Sequence, residues 1–166
     1  MMGKLFGTDG IRGVANETLD CRLAYRVGQA AAISLTKKPG VKPSVVIGKD
    51  TRISSDMLEG ALIAGLTASG CNVVRLGVIP TPGVAHQTVE GCFDCGIMIS
   101  ASHNPFCDNG IKLVNSDGFK MDEDVLELIE DYIDGKSEVP LATGNHIGAT
   151  VDYMQGRNRY IASLIA

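Results

Sequence analysis

Polar side chains that could do chemistry gather at the end of one apolar stretch of this sequence. Residues 95–99 read CGIMI, a run typical of a buried strand, and residues 100–105 read SASHNP. A serine beside a histidine and an asparagine indicates nucleophilic catalysis or anion binding. Ser102 lacks the Gly-x-Ser-x-Gly elbow of acyl hydrolases, because Ala101 and His103 flank it. The sequence therefore disfavours a serine hydrolase.

The adjacency of Ser102 and His103 also bears on what the serine does. Neighbouring side chains of an extended chain point to opposite sides, so we expect His103 not to receive the Ser102 proton. The ordinary alternative for Ser102 is a turn serine that caps a backbone group. His103 has no histidine or carboxylate beside it at metal-ligand spacing, which argues against a zinc site.

Four cations stand out by their positions, namely Arg12, Lys49, Arg52 and Lys112. Arg12 lies between Gly10 and Gly13, where a backbone can approach a ligand closely. Arg52 precedes a predicted helix N-terminus, and both features favour an anion. Lys112 lies inside the apolar run GIKLVN, an odd place for a lysine unless it faces a site, where it could act as an acid or a base. Together these cations suit a phosphate rather than an acyl group.

Short β runs alternate with helical periods along the chain, which predicts an α/β fold arranged as a three-layer αβα sandwich. The predicted strands cover residues 4–6, 44–48, 72–77, 95–99 and 110–115, and the predicted helices cover 23–35, 55–69, 82–89, 121–133 and 153–166. A Cys-Asp-Asn-Gly turn joins the last two strands and predicts a hairpin-like pair, so the β-sheet is expected to be mixed. Residues 136–151 read as a loop.

The helix boundaries follow from capping residues and apolar spacing. Asp20, one of Ser54 and Ser55, and Asp152 are the predicted N-caps. The helix over 121–133 is expected to bury an apolar stripe of Val125, Leu128, Ile129, Tyr132 and Ile133.

Three polar segments, GTDGIRG, GKDTR and SASHNP, each follow a predicted strand directly. Ligands of open α/β sheets lie outside the carboxyl ends of the strands. We therefore expect these three segments to meet at one edge of the sheet and to form the binding site.

Composition narrows the class of protein. The chain has 166 residues and a net charge of −4, which argues against nucleic acid as a partner. It has no apolar run long enough for a membrane span and no signal-peptide core at its start, which favours a cytoplasmic location without a membrane partner. Cys92 and Cys95 form a Cys-x-x-Cys, but the pair leads into a strand, so ordinary free thiols are expected.

Four segments in this order, FGTDGIRGVAN, GKDTRISS, GVIPTPGVAH and SASHNPFCDNGIKLVNSDGFK, resemble the α-D-phosphohexomutase family. The resemblance runs through nearly the whole chain, and the Ser-His-Asn-Pro loop followed by Asn-Gly-Ile-Lys is its most specific part. The FGTDGIRG start favours the branch of this family that acts on glucosamine phosphates. Phosphoglucomutase or phosphomannomutase specificity is one alternative, and a non-catalytic module that binds phosphosugars is another.

The resemblance implies that Ser102 carries the phosphoryl group as a phosphoserine and exchanges it with a small phosphosugar through a hexosamine 1,6-bisphosphate intermediate. Lys112 matches the family's proposed general acid/base, and Arg12 matches the active-site arginine near the phosphoserine. His103 and Asn104 match loop positions that line the site. Lys49 and Arg52 match the family's G-[RK]-D-T-R loop, where a structural role is at least as expected as ligand contact.

The resemblance also implies Mg²⁺, held by the Ser102 phosphate and by three aspartates of a D-G-D-x-D-R loop. This sequence contains no Asp-Gly-Asp. Family members have four domains, so residues 1–150 are interpreted as the phosphoserine-bearing domain and 151–166 as a truncated helix leading into a missing second domain. The missing downstream domains are then partners of this chain, and we expect the chain alone to lack mutase activity.

Overall fold

The computed structural model describes residues 5–166. Its strands are β1 (Ile11–Val14), β2 (Ser44–Lys49), β3 (Asn72–Val78), β4 (Cys95–Ile99), β5 (Asp108–Asn115) and β6 (Thr150–Asp152). Its α-helices are α1 (Cys21–Leu35), α2 (Ser55–Ala68), α3 (Thr81–Glu90), α4 (Glu123–Ile133) and α5 (Gln155–Ile165), and a 3₁₀ turn covers Gly144–His146.

The strands form one mixed sheet in the order β1-β5-β4-β2-β3-β6. β4, β2, β3 and β6 run parallel to one another, whereas β5 is antiparallel to both β4 and β1. The predicted mixed sheet and the predicted hairpin-like pair are both confirmed.

Helices cover both faces of the sheet. α1, α2 and α4 bury the larger apolar cluster, which includes Val27, Leu62 and Ile129, against one face. α3 packs a smaller cluster around Val84 and Met98 on the other face, with Tyr160 of α5 at its border. The predicted three-layer αβα sandwich is therefore confirmed.

The crossing of α1 and α2 depends on two glycines. A Cβ at Gly28 would lie 2.5 Å from the carbonyl oxygen of Leu62, and a Cβ at Gly65 would overlap the carbonyl oxygen of Tyr25. The two helices are therefore in backbone contact, which places the small side chains of α1 (Ala24, Ala30 and Ala31 among them) directly in the core.

This contact gives a stability prediction with a matched control on the same helix. Gly65→Ala is expected to lower the free energy of unfolding by about 2 kcal/mol, because backbone atoms cannot yield to the added methyl group. Gly60→Ala is expected to raise it by about 0.5 kcal/mol, since Gly60 has open space around it and alanine favours helix. Urea unfolding followed by circular dichroism measures both values. Equal effects of the two substitutions would contradict the packing described.

The first strand differs from the prediction. The expected strand over 4–6 lies partly outside the described residues, and Leu5 and Phe6 form a bend. β1 instead lies within the glycine-rich segment GTDGIRGVAN, which was expected to be a loop. Its glycines suggested a turn, but β1 is an edge strand that pairs with β5, and Gly10 (φ 88°) lets the backbone pass close to Ile111.

The end of the chain also differs. Residues 136–151 were expected to be a loop, but Thr150 begins β6, which pairs with β3. Asp152 does not cap α5, because its carboxylate pairs with Arg75 at 3.2 Å and the helix starts only at Gln155. The domain division at residue 150 thus falls inside a strand of the sheet, and α5 packs against α3.

The other helix predictions are mostly confirmed. Asp20 caps α1, because its Oδ1 accepts a hydrogen bond from the Leu23 amide at 2.9 Å. Ser54 occupies the N-cap position of α2 but makes no capping bond with its side chain. α4 begins two residues later than expected and buries Leu126, while Leu128 is 41% exposed, so the expected apolar stripe is wrong at that position. No helix within residues 5–166 is long and apolar enough to cross a membrane.

The five cysteines are unpaired and fall into two groups. Cys21, Cys92 and Cys107 are exposed, whereas Cys71 and Cys95 are buried. Burial raises the pKa of the Cys95 thiol to about 12, and burial together with the nearby Cys95 raises the pKa of Cys71.

We expect iodoacetamide at pH 8 to label the three exposed cysteines of the folded chain and to spare Cys71 and Cys95. The thiolate is the reactive form, and burial disfavours it at the two core positions. Peptide mass spectrometry identifies the labelled residues, and the urea-unfolded chain, which should react at all five, is the control. Rapid labelling of Cys95 in the folded chain would contradict this expectation.

Candidate active site at the carboxyl edge of the sheet

The carboxyl ends of β2 and β4 bring two polar segments together. Lys49 and Ile99 are register partners at these ends, and the Asp50 amide donates to the Ile99 carbonyl at 3.0 Å. β5 begins at the same edge, and β1 pairs with it so that Arg12 lies opposite Gly110. The predicted meeting of GKDTR and SASHNP is confirmed, and the third segment contributes Arg12 from a strand rather than from a loop.

Ser102 is exposed and has a left-handed backbone conformation, with φ at 56°. Its Oγ lies 3.4 Å from Nδ1 of His103. The expectation that these two side chains point apart is wrong, because it assumed an extended chain and Ser102 is in a turn. His103 is therefore within long hydrogen-bond reach of the hydroxyl, on the tautomer that leaves Nδ1 as an acceptor.

The Ser102 conformation requires support from its surroundings. A non-glycine residue in the left-handed region costs about 1 kcal/mol or more, and such strain persists where neighbouring contacts fix it. Two contacts near Ser102 do this, since its amide donates to Ser100 Oγ at 3.0 Å and the Asn104 amide donates to the Ala101 carbonyl at 3.0 Å.

The Arg52 side chain binds the backbone of the SASHNP loop. Its Nη2 donates to the carbonyls of Ser102 and Asn104, both at 3.0 Å, and its Nη1 donates to those of Pro105 (2.6 Å) and Asp108 (3.1 Å). Its Nε donates to Asp50 at 3.0 Å, so all five guanidinium hydrogens are used. Of the two roles the resemblance left open for Arg52, the geometry favours the structural one.

Asp50 is the counter-ion of Arg52. Its partial burial alone would raise the pKa of this carboxyl, but hydrogen bonds from the Arg52 amide, Ser100, the Arg52 side chain and Ser55 outweigh burial and lower the pKa. The Asp50–Arg52 pair thus joins the end of β2 to the loop after β4 with charge-assisted bonds.

Arg12 reaches the same loop from β1. Its Nη1 donates to Asn104 Oδ1 at 3.2 Å, and Asn104 Nδ2 in turn donates to Asp108 at 3.2 Å. Asp9 lies 3.9 Å from Arg12 Nη2. Nε of Arg12 is buried and has no partner in the part of the chain that the structure describes. The Arg12 side chain is 26% exposed, so the outer part of its guanidinium can meet an anion beside the loop.

Lys112 lines a cleft of about 370 Å³ between β5 and the N-terminal turn of α3. Ile111 and Leu113 pack in the larger apolar cluster on one face of the sheet. Because successive side chains of a strand point to opposite faces, Lys112 of β5 points to the opposite face, toward this cleft. Asp9, Thr81 and Lys120 also line it. The Lys112 ammonium makes no hydrogen bond or ion pair within residues 5–166, which leaves its donors free for a ligand.

Lys49 points away from the loop. Its ammonium pairs with Asp56 at 2.6 Å and Glu59 at 3.1 Å, and Glu59 also accepts from Arg75 at 2.9 Å. Desolvation alone would lower the pKa of Lys49, but the two carboxylates outweigh it and raise the pKa. The structure thus groups Ser102, His103, Asn104, Arg12 and Arg52 by direct contacts, and places Lys112 in the adjoining cleft and Lys49 in a separate ion-pair cluster.

Residues 5–166 form no magnesium site by themselves. Within residues 5–166, no three histidine, cysteine or acidic side chains are arranged to hold a metal ion. Asp108, a carboxylate of the loop region, accepts from Asn104 instead. Mg²⁺ requires several oxygen ligands in near-octahedral geometry, so the described residues do not fit the ion by themselves.

Sequence reasoning missed three residues that support the loop. Asp50 pairs with Arg52, and Ser100 accepts a hydrogen bond from the Ser102 amide. The fully buried Asn109 donates to Ser54 (2.9 Å) and accepts from the Gly110 amide at 2.8 Å. One feature of the sequence pointed to a role for Asp50, because an aspartate at a strand end often accepts a hydrogen bond from the backbone two residues later and forms a local turn. No such feature pointed to Asn109, since an Asn-Gly pair usually indicates an exposed turn.

Comparison with known proteins agrees with this geometry. Residues 3–140 match the family model described as phosphoglucomutase/phosphomannomutase, alpha/beta/alpha domain I. The chain is 57% identical to a phosphoglucosamine mutase from Lachnoclostridium phytofermentans and 53% identical to one from Exiguobacterium sp., over 99% and 98% of its length. It spans 37% of the length of each of these relatives.

A solved structure gives the same result at the level of the fold. The chain superposes on a phosphoglucomutase/phosphomannomutase family protein from Burkholderia thailandensis with a TM-score of 0.79 and 28% identity, covering 99% of this chain and 36% of that one. The family match covers well over half of the sequence and contains every residue of the Ser102 loop. This chain belongs to the phosphoglucomutase/phosphomannomutase family, of which it comprises the α/β/α domain I.

Proposed function

We propose that this chain is the phosphoserine-bearing part of a phosphoglucosamine mutase, which interconverts glucosamine 6-phosphate and glucosamine 1-phosphate. The 57% identity to a phosphoglucosamine mutase over nearly the whole chain carries this proposal. The product would serve amino-sugar and cell-wall precursor synthesis, and the cytoplasm is the compartment we propose.

The reaction has two phosphoryl transfers. Phospho-Ser102 gives its phosphoryl group to O1 of glucosamine 6-phosphate, which forms the 1,6-bisphosphate and leaves a free serine. After the bisphosphate reorients in the site, the Ser102 hydroxyl takes the phosphoryl group from O6, and glucosamine 1-phosphate leaves. Such transfers depend mainly on positioning and on neutralising charge.

The geometry supports a role for each residue near the loop. Arg12, whose partly exposed guanidinium contacts Asn104 of the loop, would neutralise phosphoryl charge beside Ser102. Lys112, free in its cleft, would move the proton of the sugar hydroxyl, and His103 lies close enough to Ser102 Oγ to exchange its proton. Asn104 fixes Arg12. Lys49 is proposed to act structurally through its ion pairs.

We propose that the remaining parts of the site come from outside this chain. A Mg²⁺ ion bound to the Ser102 phosphate would need its other ligands from downstream domains, and it would supply charge neutralisation. Those domains are the proposed partners of the chain, with residues 1–150 as the phosphoserine-bearing unit and 151–166 as the segment that leads into the second domain.

A hybrid enzyme tests the proposed function. This chain would replace the matching part of the Lachnoclostridium phytofermentans mutase, and Mg²⁺-dependent turnover would be measured on the 6-phosphates of glucosamine, glucose and mannose. We expect glucosamine 6-phosphate to be converted fastest, one phosphoryl group on Ser102 by intact mass, and no turnover by the chain alone.

Three outcomes would contradict the proposal. Preference for glucose or mannose 6-phosphate would indicate a sister specificity of the family. An inactive hybrid beside an active parent mutase would favour a non-catalytic module that binds phosphosugars. Turnover by the isolated chain would show that no further domains are needed.

A further inference from the structure

A chain of polar groups runs from the backbone of Ser102 into the protein. The Ser102 amide donates to Ser100 Oγ at 3.0 Å, and the Ser102 carbonyl accepts from Arg52 Nη2 at 3.0 Å. The Nε of the same guanidinium donates to the Asp50 carboxylate at 3.0 Å. Ser100 is only 6% exposed, so these bonds are largely shielded from water. Successive bonds of this kind polarise one another.

Asp50 is itself held in place from several directions. Its amide is fixed to the Ile99 carbonyl, and its carboxylate accepts from the Arg52 amide (3.0 Å), the Arg52 Nε (3.0 Å) and Ser55 Oγ (3.1 Å). A carboxylate with these partners stays ionised and cannot rotate freely. The same charge therefore orients the Arg52 guanidinium, which holds the carbonyls of Ser102 and Asn104.

Ser100 is also fixed by its backbone. Its amide donates to the Gly110 carbonyl at 3.0 Å, and the Gly110 amide donates to the buried Asn109 side chain at 2.8 Å. A Cβ at Gly110 would lie 2.6 Å from the Ser100 carbonyl, so β5 passes as close to Ser100 as a backbone can. The Ser100 hydroxyl thus acts as a rigid acceptor for the Ser102 amide.

We propose that Asp50 and Ser100 are positioning residues that hold Ser102 in its left-handed conformation for phosphoryl transfer. This inference rests on the proposed function. Neither side chain contacts Ser102 Oγ, so both would act through the direction in which the hydroxyl points. Three loop carbonyls and that of Asp108 at the start of β5 are bound to Arg52, which keeps their negative ends away from an incoming phosphoryl group. Phosphoryl transfer is sensitive to errors of about 1 Å in such positioning.

The test compares two substitutions of equal shape. Ser100→Thr keeps the hydroxyl and Ser100→Val removes it. In the hybrid enzyme, we expect Ser100→Val to lower kcat by about 10-fold to 100-fold relative to Ser100→Thr, with KM changed less than about twofold. Asp50→Asn, which removes the charge and keeps the shape, should lower kcat in the same way. Equal kcat values for the threonine and valine variants would overturn the proposal.

Hydrogen exchange of the Ser102 amide in the chain itself gives a readout that does not depend on turnover. We expect this amide to exchange about fivefold to tenfold faster in Ser100→Val than in Ser100→Thr, because one hydrogen bond is lost. Core amides of β2 should exchange equally in both variants, which would exclude a general loss of stability. Equal exchange at Ser102 would overturn the proposal even if the hybrid enzyme were active. An inactive unsubstituted hybrid would refute the proposed function, and the exchange rates would still decide whether Ser100 holds Ser102.

Discussion

Replacing Ser102 with alanine will lower mutase turnover of the hybrid enzyme by at least about a thousandfold. The proposed reaction passes through a phosphoserine, and alanine has no oxygen to carry the phosphoryl group. No other hydroxyl of the loop is available, since Ser100 is buried and its Oγ is bonded to the Ser102 amide. Stability should change little, because the Ser102 side chain is exposed.

Two measurements make this prediction specific. Turnover on glucosamine 6-phosphate gives the loss, and intact mass should show that the phosphoryl group is absent from the variant. Ser137→Ala is the matched control, because Ser137 is exposed and lies outside the loop, and it should leave both readouts unchanged. An alanine variant with full activity would refute the phosphoserine mechanism.

Replacing Arg52 with alanine will lower the free energy of unfolding by about 3 to 5 kcal/mol. The substitution removes five hydrogen bonds at once and leaves the Asp50 carboxylate without its counter-ion. Arg52 is only 10% exposed, so water cannot fully replace the guanidinium. Arg52→Lys should recover only part of the loss, because one ammonium cannot serve acceptors spread around a planar fork.

Urea unfolding of the chain measures this effect, with Arg22→Ala as the control at an exposed position of α1, where we expect a change within about 0.5 kcal/mol. The loss of unfolding free energy caused by Arg52→Ala should become smaller as the pH falls. The pKa of Asp50 is lowered in the folded chain, so its pairing stabilises the fold above the ordinary aspartate pKa of 3.8 and is lost as the pH falls through the folded value. The difference between Arg52→Ala and the unsubstituted chain should therefore shrink below pH 3.8. A deficit that stays constant in acid would contradict the role of the ion pair.

The sequence by itself determined the αβα layers, the mixed sheet and the family. Local periodicity carries this information, since a strand alternates every two residues and a helix every 3.6. The sequence also predicted that the segments after β2 and β4 would meet, because the carboxyl ends of parallel strands lie at the same edge of a sheet. The family resemblance then implied that Ser102 is the phosphoserine. Its loop follows neither a helical nor a strand periodicity, so periodicity alone could not indicate this role.

Only the tertiary structure decided which way the side chains of that edge point. Arg52 is about fifty residues distant in sequence from the carbonyls it holds, and nothing local shows that it turns inward while Lys49, three residues earlier, turns toward Glu59. Ser102 adopts a left-handed conformation because Ser100 and Arg52 hold the loop, which reverses the expectation for His103. The Arg52 bonds join segments about fifty residues apart, and they can form only once β2 and β4 have paired.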